Sequence, residues 1–428
     1  MPHFGPVTTH PDGPTIGRDR ITGRASRLRE MSRRLVLEEL ARSQPVSQAD
    51  VVRSTGLSRA TVASVVTELA DSGRLVTVGG SVPAGRGRPP RLLRLHAGSG
   101  VVAGLDFGHS HLAIAVAELS GRLLAERRTE LDVDSSADAA IDAATILLAA
   151  MLSELCDPAG DAVGISDSTA DGTADGTANA GTSRPKAIVI GVPGPIDRIS
   201  GQLLSGTVLP GWVGVQPAEE FRRRLGQPVT LENDANLGAI GEHTYGRARG
   251  VQNLLYVKVS TGIGAGMILD GRLYRGSRGT AGEIGHVQVA DGGALCRCGS
   301  RGCLETLSSA DAAFALLRNA HGREMSLEEV LTIVRAGDPG AVRLFTDMGT
   351  EIGRVVAAVS ANLDPTMVVV GGPLVDEPGP LLDGIAAAVR RYTQPYVSSQ
   401  LAVVGGELGQ RASLLGAVAR AIQLASAP

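Results

Sequence analysis

Three of the four cysteines of this chain lie in one stretch, residues 283–305, and no other feature limits its possible folds as strongly. They are Cys296, Cys298 and Cys303, in the spacing Cys-x-Cys-x4-Cys, and His286 lies ten residues before the first of them. In an ordinary soluble enzyme such a cluster indicates a metal before it indicates a disulfide. Three thiolates and one imidazole make a closed tetrahedral ligand set for zinc. The sequence therefore predicts one structural Zn2+ per chain, held by these four side chains.

Two other interpretations of these cysteines are a disulfide with a spare thiol and a redox pair. A Cys-x-Cys spacing is poorly suited to a bridge, because disulfide geometry is demanding. The glycines of the stretch favour a chain that folds tightly around an ion, since glycine tolerates positive φ. These glycines are Gly292, Gly293, Gly299 and Gly302. The fourth cysteine, Cys156, is expected to be a small, buried or half-buried side chain near a helix end.

The pattern Gly-His, followed by Cys-x-Cys-Gly-x-x-Gly-Cys-x-Glu, resembles the zinc motif of the ROK family, which is named for its repressors, open reading frames and sugar kinases. The resemblance implies an actin-like, ribonuclease H-like α/β fold, in which two lobes face each other across a sugar cleft. It also implies that His286 is shared between zinc and a bound sugar, and that Glu283 and Glu305 hydrogen-bond sugar hydroxyls. Zinc would thus shape a sugar pocket.

Charge separates the first quarter of the chain from the rest. Residues 1–97 contain 15 arginines, no lysine and 8 acidic residues, for a charge of +7, whereas the remainder has 26 basic and 36 acidic residues, for −10. A basic first quarter suits a polyanion such as DNA. The best apolar run, residues 143–152, is too short to span a bilayer, and no N-terminal signal pattern is seen. A cytoplasmic location without membrane contact is expected.

Composition and periodicity, together with the ROK resemblance, predict three parts, and the division of the last part into two lobes is what the resemblance implies. The three parts are a disordered arm over residues 1–23, a winged helix-turn-helix domain over residues 24–97, and a two-lobed domain over residues 98–428 with a disordered insertion at 157–185.

Two helices joined by a tight turn are predicted within residues 45–70. Ser47 with Asp50 resembles a capping pair, Gly56 breaks the chain, and Ser58 caps the second helix. The apolar positions of the second helix recur at helical spacing, so its polar residues face outward near its N-terminus, as in a recognition helix. The candidate DNA-contacting residues here are Ser58, Arg59, Thr61 and Ser64.

Two strands, near residues 75–79 and 91–95, predict a hairpin whose connection carries Arg86 and Arg88. Such a wing suits DNA phosphates or a minor groove. The ROK resemblance supports this prediction, because family repressors carry a winged helix ahead of the sugar-binding part and family kinases lack it.

Three glycine loops are candidates for nucleotide binding. In the first, Asp106 ends a buried strand and could hold Mg2+, with Gly108 and Ser110 beside it. ROK kinases usually have Asp-x-Gly-Gly-Thr-Lys here, whereas this chain has His109 for the second glycine and His111 for the lysine, which argues against ATP binding. A tight hairpin would explain the second loop as well as phosphate binding does. The residues of the other two loops are Thr261, Gly262 and Gly264, and then Gly371 and Gly372.

Asn233 and Asp234 follow a short predicted strand and begin a helix, where either could be a simple cap. The ROK resemblance places both in the sugar site. In family kinases the matching Asn orients the sugar, and the matching Asp is the general base that takes a proton from the attacking hydroxyl. Asp234 is therefore the candidate catalytic residue if the chain is a kinase. The implied sugar-binding set is Asn233, Asp234, Glu283, His286 and Glu305.

Together these features predict a sugar-responsive, DNA-binding transcriptional regulator of carbohydrate metabolism genes. A repressor that acts as a homodimer or higher homo-oligomer on a double-stranded DNA operator is expected, without enzymatic activity. The alternative is a glucokinase-like, ATP-dependent hexose kinase, alone or combined with regulation, which would add Mg2+ and ATP as cofactors.

Overall fold

The structure is a computed structural model of the chain. It describes residues 29, 31–33, 35–37, 39–40, 46–71, 75–78, 92–95, 100–156, 184–197, 199–204, 208–375 and 379–426. These residues belong to two compact units, the second of which begins at Gly100. The predictions for the arm at 1–23, for most of the insertion at 157–185, and for Arg86 and Arg88 in the wing lie outside the described residues.

The first unit combines helices with a small antiparallel sheet in the strand order β1-β3-β2. Its strands are β1 (Val46–Ser47), β2 (Leu75–Val78) and β3 (Leu92–Leu95). Its helices are α1 (Gln48–Thr55) and α2 (Arg59–Asp71), and residues 31–33, 35–37 and 39–40 are helical as well. The short strand β1 was not predicted.

Local sequence fixes the ends of α1 and the start of α2. The Asp50 N–H donates to Ser47 Oγ at 3.2 Å, and the Ser47 N–H donates back to the Asp50 carboxylate at 3.3 Å. This reciprocal pair is a capping box, as predicted. Gly56 ends α1 with φ of 67°, a conformation that glycine adopts without strain. At the start of α2, the Thr61 N–H donates to Ser58 Oγ at 3.1 Å.

One face of α2 forms much of the core of the first unit, together with apolar side chains of α1 and the sheet. The buried side chains of α2 are Val62, Val65 and Leu69, at helical spacing. Because this face is turned inward, Ser58, Arg59 and Ser64 are exposed and Thr61 is half-buried. The first turns of α2 therefore present polar side chains to solvent.

The second unit contains two five-stranded sheets with the same topology. In each sheet, three antiparallel strands are continued by two strands parallel to the central one. The first, in the order β6-β5-β4-β7-β8, comprises β4 (Val101–Phe107), β5 (His111–Glu118), β6 (Leu123–Glu130), β7 (Ile188–Val192) and β8 (Thr230–Asn233). The second, in the order β11-β10-β9-β12-β13, comprises β9 (Leu254–Val259), β10 (Ile263–Leu269), β11 (Arg272–Tyr274), β12 (Met367–Gly371) and β13 (Ala402–Gly405). Two lobes result, one for each sheet.

Most of the helices cover the lobes, and two of them lie between the two sheets. The helices are α3 (Ala137–Cys156), α4 (Pro217–Leu225), α5 (Asp234–Thr244), α6 (Glu305–Ser308), α7 (Ala310–His321), α8 (Leu327–Arg335), α9 (Pro339–Leu363), α10 (Pro380–Tyr392), α11 (Pro395–Gln400) and α12 (Ala412–Ser426). Helices α5 and α12 pack on each other, with α12 against the first sheet and α5 against the second. Their approach requires glycine, because a Cβ at Gly416 would lie 1.8 Å from the Leu237 carbonyl oxygen. The pair therefore joins the two lobes.

By length and hydropathy alone, α3 could cross a membrane. In the structure, one of its faces packs into the core of the first lobe. Its charged residues pair with the same lobe, since Asp138 and Asp142 contact Arg224 and Glu154 contacts Arg127. Helix α3 is accordingly an outer helix of the folded lobe.

Candidate functional site

One cleft in the second unit brings together most of the predicted site residues. Its volume of about 300 Å3 is at the lower end of the range for small-molecule pockets. The predicted residues that line it are Asp106, Gly108, Ser110, Asn233, Asp234, Thr261, Gly262, Gly264, Glu283, His286, Glu305 and Gly372. Gly371 lies behind this wall, where a Cβ would be 2.3 Å from the hydroxyl oxygen of buried Tyr256. Packing against Tyr256 therefore explains why this position is a glycine.

The four predicted metal ligands converge beside the cleft. One ligand atom from each of His286, Cys296, Cys298 and Cys303 lies within 4.8 Å of the others. Cys298 Sγ and Cys303 Sγ are 3.7 Å apart, and Cys296 Sγ is 3.5 Å from His286 Nδ1. A tetrahedral zinc ion with ordinary bond lengths would separate two sulfurs by about 3.8 Å, and a sulfur from a nitrogen by about 3.6 Å. The cluster can therefore hold one metal ion, and its side chains fit zinc.

The distance between the sulfurs of Cys298 and Cys303 also tests the two other interpretations, a disulfide with a spare thiol and a redox pair. A disulfide bond is about 2.0 Å long, so sulfurs 3.7 Å apart are not bonded, and all four cysteines are free thiols. Burial raises the pKa of the Cys296 and Cys303 thiols, whereas the Ser300 backbone N–H lowers the pKa of the Cys298 thiol. A bound cation would hold all three as thiolates.

Glycines allow the metal loop to close. Gly302 has φ of 65°, and a Cβ there would lie 1.8 Å from the Ala290 carbonyl oxygen. Gly292 and Gly299 also have positive φ, whereas Gly293 packs directly against Gly302. The chain is thus tightly folded here, as predicted. Glycine is required for two separate reasons, the positive φ of the backbone and the close approach of neighbouring backbone atoms.

His286 faces the metal cluster with one nitrogen and the cleft with the other. Its Nδ1 lies beside Cys296, while its Nε2 is 3.7 Å from Glu283 Oε2. Glu305, the first residue of α6, has Oε1 within 3.1 Å of Cys296 Sγ and 3.7 Å of His286 Nδ1. Burial, with Asp234 and Glu305 nearby, raises the pKa of Glu283 to about 7. Near neutral pH, Glu283 can therefore both donate and accept hydrogen bonds.

Asn233 is the N-cap of α5, as one of the two interpretations of this residue predicted. Its Oδ1 accepts from the Asn236 N–H at 3.0 Å, and its Nδ2 donates to the Gly194 carbonyl at 3.1 Å. The side chain nonetheless lines the cleft. Asp234, the next residue, accepts from the Ala235 N–H at 2.8 Å through Oδ1.

Sequence reasoning missed Glu232 and Arg275, which hold this segment in place. Buried Glu232 accepts from the Asn233 N–H at 3.2 Å and from Asn236 Nδ2 at 3.0 Å. Its other oxygen accepts from Arg275 Nε at 2.8 Å. Since Arg275 lies far along the chain, no local sequence pattern indicates this contact.

Lys258 was also missed, although it lines the cleft. Its Nζ is 2.7 Å from Asp234 Oδ2 and 3.5 Å from Ser413 Oγ. Burial lowers the pKa of Lys258, but the Asp234 and Asp106 carboxylates outweigh burial and leave the pKa above its usual value. The cleft therefore contains a permanent ammonium ion.

The first glycine loop differs from the expected arrangement. His109, at the position of the second glycine of the family kinases, lines the cleft, and its Nδ1 lies 2.8 Å from Asp134 Oδ1. The His111 ring covers Gly108, where a Cβ would lie 2.1 Å from ring atom Cε1. His111 Nε2 is 3.6 Å from Asp106 Oδ2. Side chains of the chain itself therefore lie against two of the residues predicted for Mg2+ and ATP, Asp106 and Gly108.

The second predicted glycine loop forms a hairpin and also lines the cleft. Residues 260–262 form a tight hairpin in which the Ser260 N–H donates to the Gly262 carbonyl at 2.9 Å, although Thr261 and Gly262 still line the cleft. Of the Pro-Gly turns at residues 193–194 and 210–211, only the first lines the cleft. Trp212, in the other turn, is buried in the first lobe, where its ring N–H donates to the Val133 carbonyl at 2.8 Å.

Two lobes of repeated topology, with a Cys3His cluster at the intervening cleft, define an actin-like α/β protein. The ROK family profile matches residues 175–424. The chain belongs to the ROK family. The xylose repressor of Bacillus subtilis strain 168 is 25% identical over 91% of this chain and 94% of its own length. The glucokinase of Thermotoga maritima is 32% identical over 53% of this chain and 76% of its own.

A crystal structure of a ROK family transcriptional regulator, a homologue of the E. coli MLC protein, shares the fold of nearly the whole chain. It has a TM-score of 0.72 and 23% identity, and the match covers 93% of this chain and 96% of that one. The predicted fold class is thereby confirmed.

Proposed function

We propose that this protein is a sugar-responsive transcriptional repressor that binds operator DNA through its first unit and senses a sugar in the cleft of its second. One observation carries the proposal: the likeness to a xylose repressor extends over 91% of the chain, whereas the likeness to a glucokinase covers 53%. A chain that matches regulators along its length has kept both the helix-turn-helix unit and the cleft. A cytoplasmic homodimer suits an operator with two half-sites.

The chemistry of the cleft supports a polyhydroxylated ligand. The cleft is lined by side chains that can form hydrogen bonds, namely those of Glu283, Glu305, His286, Asn233 and Asp234. A zinc ion on His286 Nδ1 would fix the ring orientation and so aim Nε2 at a sugar hydroxyl. Glu305, close to both His286 and Cys296, would couple sugar binding to the metal loop.

The exposed N-terminal part of α2 supports DNA reading in a major groove. Arg59 and Ser64 are exposed and Thr61 is half-buried, while the opposite face is fixed in the core. Arg86 and Arg88, as wing residues, would contact phosphates. Base readout and phosphate contact predict different defects on mutation.

The experiment is selection of duplexes from a random library by the full-length protein, followed by anisotropy titrations against salt. Arg59→Ala should reduce the preference for the selected duplex over a scrambled one by about tenfold, the loss expected for one base contact. Arg86→Ala should weaken both duplexes alike and lower the salt slope by about one. Arg53→Ala, an exposed change on α1, is the matched control. A wild-type protein that selects no sequence, or an Arg59→Ala variant with undiminished preference, would refute the proposal.

A hexose kinase is the second candidate. It is favoured by the glucokinase relative and by Asp234, which lies in the cleft where a base would be needed. ADP release from Mg2+-ATP with D-glucose or D-xylose measures it. Brisk turnover that Asp234→Asn abolishes would establish the kinase in place of a pure sensor.

A further inference from the structure

Lysine is almost absent from this chain. Only two of its 41 basic residues are lysines, Lys186 and Lys258, and the others are arginines. Lys186 is exposed, whereas the Lys258 side chain is 19% exposed and lies in the cleft wall. A compact ammonium differs from a planar guanidinium in that it can replace a small spherical cation. A lysine at this one interior position therefore suggests a specific role.

Lys258 shares the cleft with two carboxylates, Asp106, the candidate Mg2+ ligand, and Asp234, the candidate general base. Its Nζ donates to Asp234 Oδ2 at 2.7 Å, and Asp106 is close enough to act on its charge. Side-chain exposure is 15% for Asp234 and 4% for Asp106, so neither charge is dispersed by water. Ser413, at the start of α12, lies 3.5 Å from Nζ and donates through its hydroxyl to the Asp234 carbonyl at 3.0 Å.

The chain itself supplies a positive charge to this part of the cleft. Two nearly buried carboxylates would repel each other without a cation between them. Lys258 supplies one positive charge, and the His111 ring covers Gly108 beside Asp106. Asp106 Oδ1 has no hydrogen-bond partner among the described residues, so the chain satisfies this carboxylate only in part.

We propose that Lys258 is a built-in cation that takes the place of a divalent metal beside Asp234, in the cleft that Asp106 also lines, and excludes Mg-nucleotide from it. Ligand binding in the second unit is then independent of metal and nucleotide at this position. The proposal rests on the proposed function only in taking the cleft as the sensor site. It adds Lys258 to His109 and His111 as a difference between this chain and a cleft competent for phosphoryl transfer.

The test is Mn2+ binding to the full-length, zinc-loaded protein, measured by electron paramagnetic resonance. Wild type should show no saturable Mn2+ site in the cleft. Lys258→Met should gain one site per chain, with affinity raised by about tenfold or more, since two buried carboxylates lose their cation. Lys258→Met/Asp106→Asn should lose the site again, and Lys258→Arg should not gain it. Lys186→Met removes the only other lysine and should behave as wild type.

A second readout covers the case in which Lys258→Met is unstable. Mn2+ should raise the melting temperature of Lys258→Met and leave that of wild type unchanged, because only a ligand of the folded state stabilises it. Should the variant not fold at all, calorimetric titration of wild type with Mg2+-ATP decides: absence of saturable binding supports the proposal. Saturable Mg2+-ATP binding to wild type, or an unchanged Mn2+ affinity in folded Lys258→Met, would overturn it. The titration uses neither sugar nor DNA, so either result leaves the regulatory function to be judged separately.

Discussion

At the scale of single residues, His286 connects the metal loop to the cleft. Its two ring nitrogens face Cys296 on one side and Glu283 on the other. A histidine that is held by a metal through Nδ1 keeps a fixed tautomer and orientation at Nε2. Loss of the metal should therefore weaken ligand binding even though the cleft residues remain.

Cys296→Ser tests this connection. The variant should lose most of its zinc on dialysis against a chelator that leaves wild type with one zinc per chain, because one thiolate of the tetrahedral set is gone. Elemental analysis measures the metal content. Cys156→Ser, outside the cluster, should keep its zinc. A Cys296→Ser protein that retains a full equivalent would show that the cluster is not the zinc site.

The residues of the metal cluster could be predicted because their spacing is local and their chemistry is distinctive. Lys258 could not be placed in the same way, although its rarity was visible in the sequence. Its partner Asp234 is on another element, and only the packing of β9 beside α5 brings the two together. The same holds for His109 and His111, because the direction of each ring depends on the β4–β5 turn.

At the scale of elements, α5 and α12 cross at a distance set by glycine. The Cβ of an alanine at Gly416 would lie 1.8 Å from the Leu237 carbonyl oxygen, so the two helices would have to separate. Asp234 begins α5 and Ser413 lies in the first turn of α12, so this crossing also fixes the floor of the cleft.

Gly416→Ala should therefore lower the free energy of unfolding by about 1–3 kcal/mol, the usual cost of overpacking. Urea unfolding followed by circular dichroism measures it. The control is Gly340→Ala in α9, where the nearest atom to a new Cβ is at an ordinary 3.4 Å. It should change stability by less than about 1 kcal/mol. Equal stability of Gly416→Ala and wild type would mean that the helices are less tightly packed than described.

Elements were predictable where their signals are local. The capping box of α1, the buried stripe of α2 and the hairpin of β4 and β5 follow from cap residues and periodicity. Strand β6 was not predicted because it is exposed along much of its length and carries the charged run Glu126-Arg127-Arg128. Its place in the sheet comes from pairing with β5.

At the scale of the whole molecule, the repeated sheet topology was expected only through the family resemblance. Pairing between β9 and β12, or β4 and β7, joins segments separated by long stretches of chain, and periodicity does not specify such pairs. The central claim also belongs to this scale: a sugar in the cleft alters DNA binding by the first unit, with no nucleotide involved.

The most direct measurement is the affinity for a selected duplex, by fluorescence anisotropy, with and without a sugar shown by calorimetry to bind. D-xylose and D-glucose are tried first, in buffer free of nucleotide, and ADP formation is followed in a parallel sample with Mg2+-ATP. The bound sugar is expected to change duplex affinity by about fivefold or more, and no ADP is expected to form. Glu305→Gln should abolish the response to sugar, whereas the exposed change Glu324→Gln should not. A sugar that occupies the cleft yet leaves duplex affinity unchanged, or is phosphorylated briskly by the wild type, would contradict the central claim.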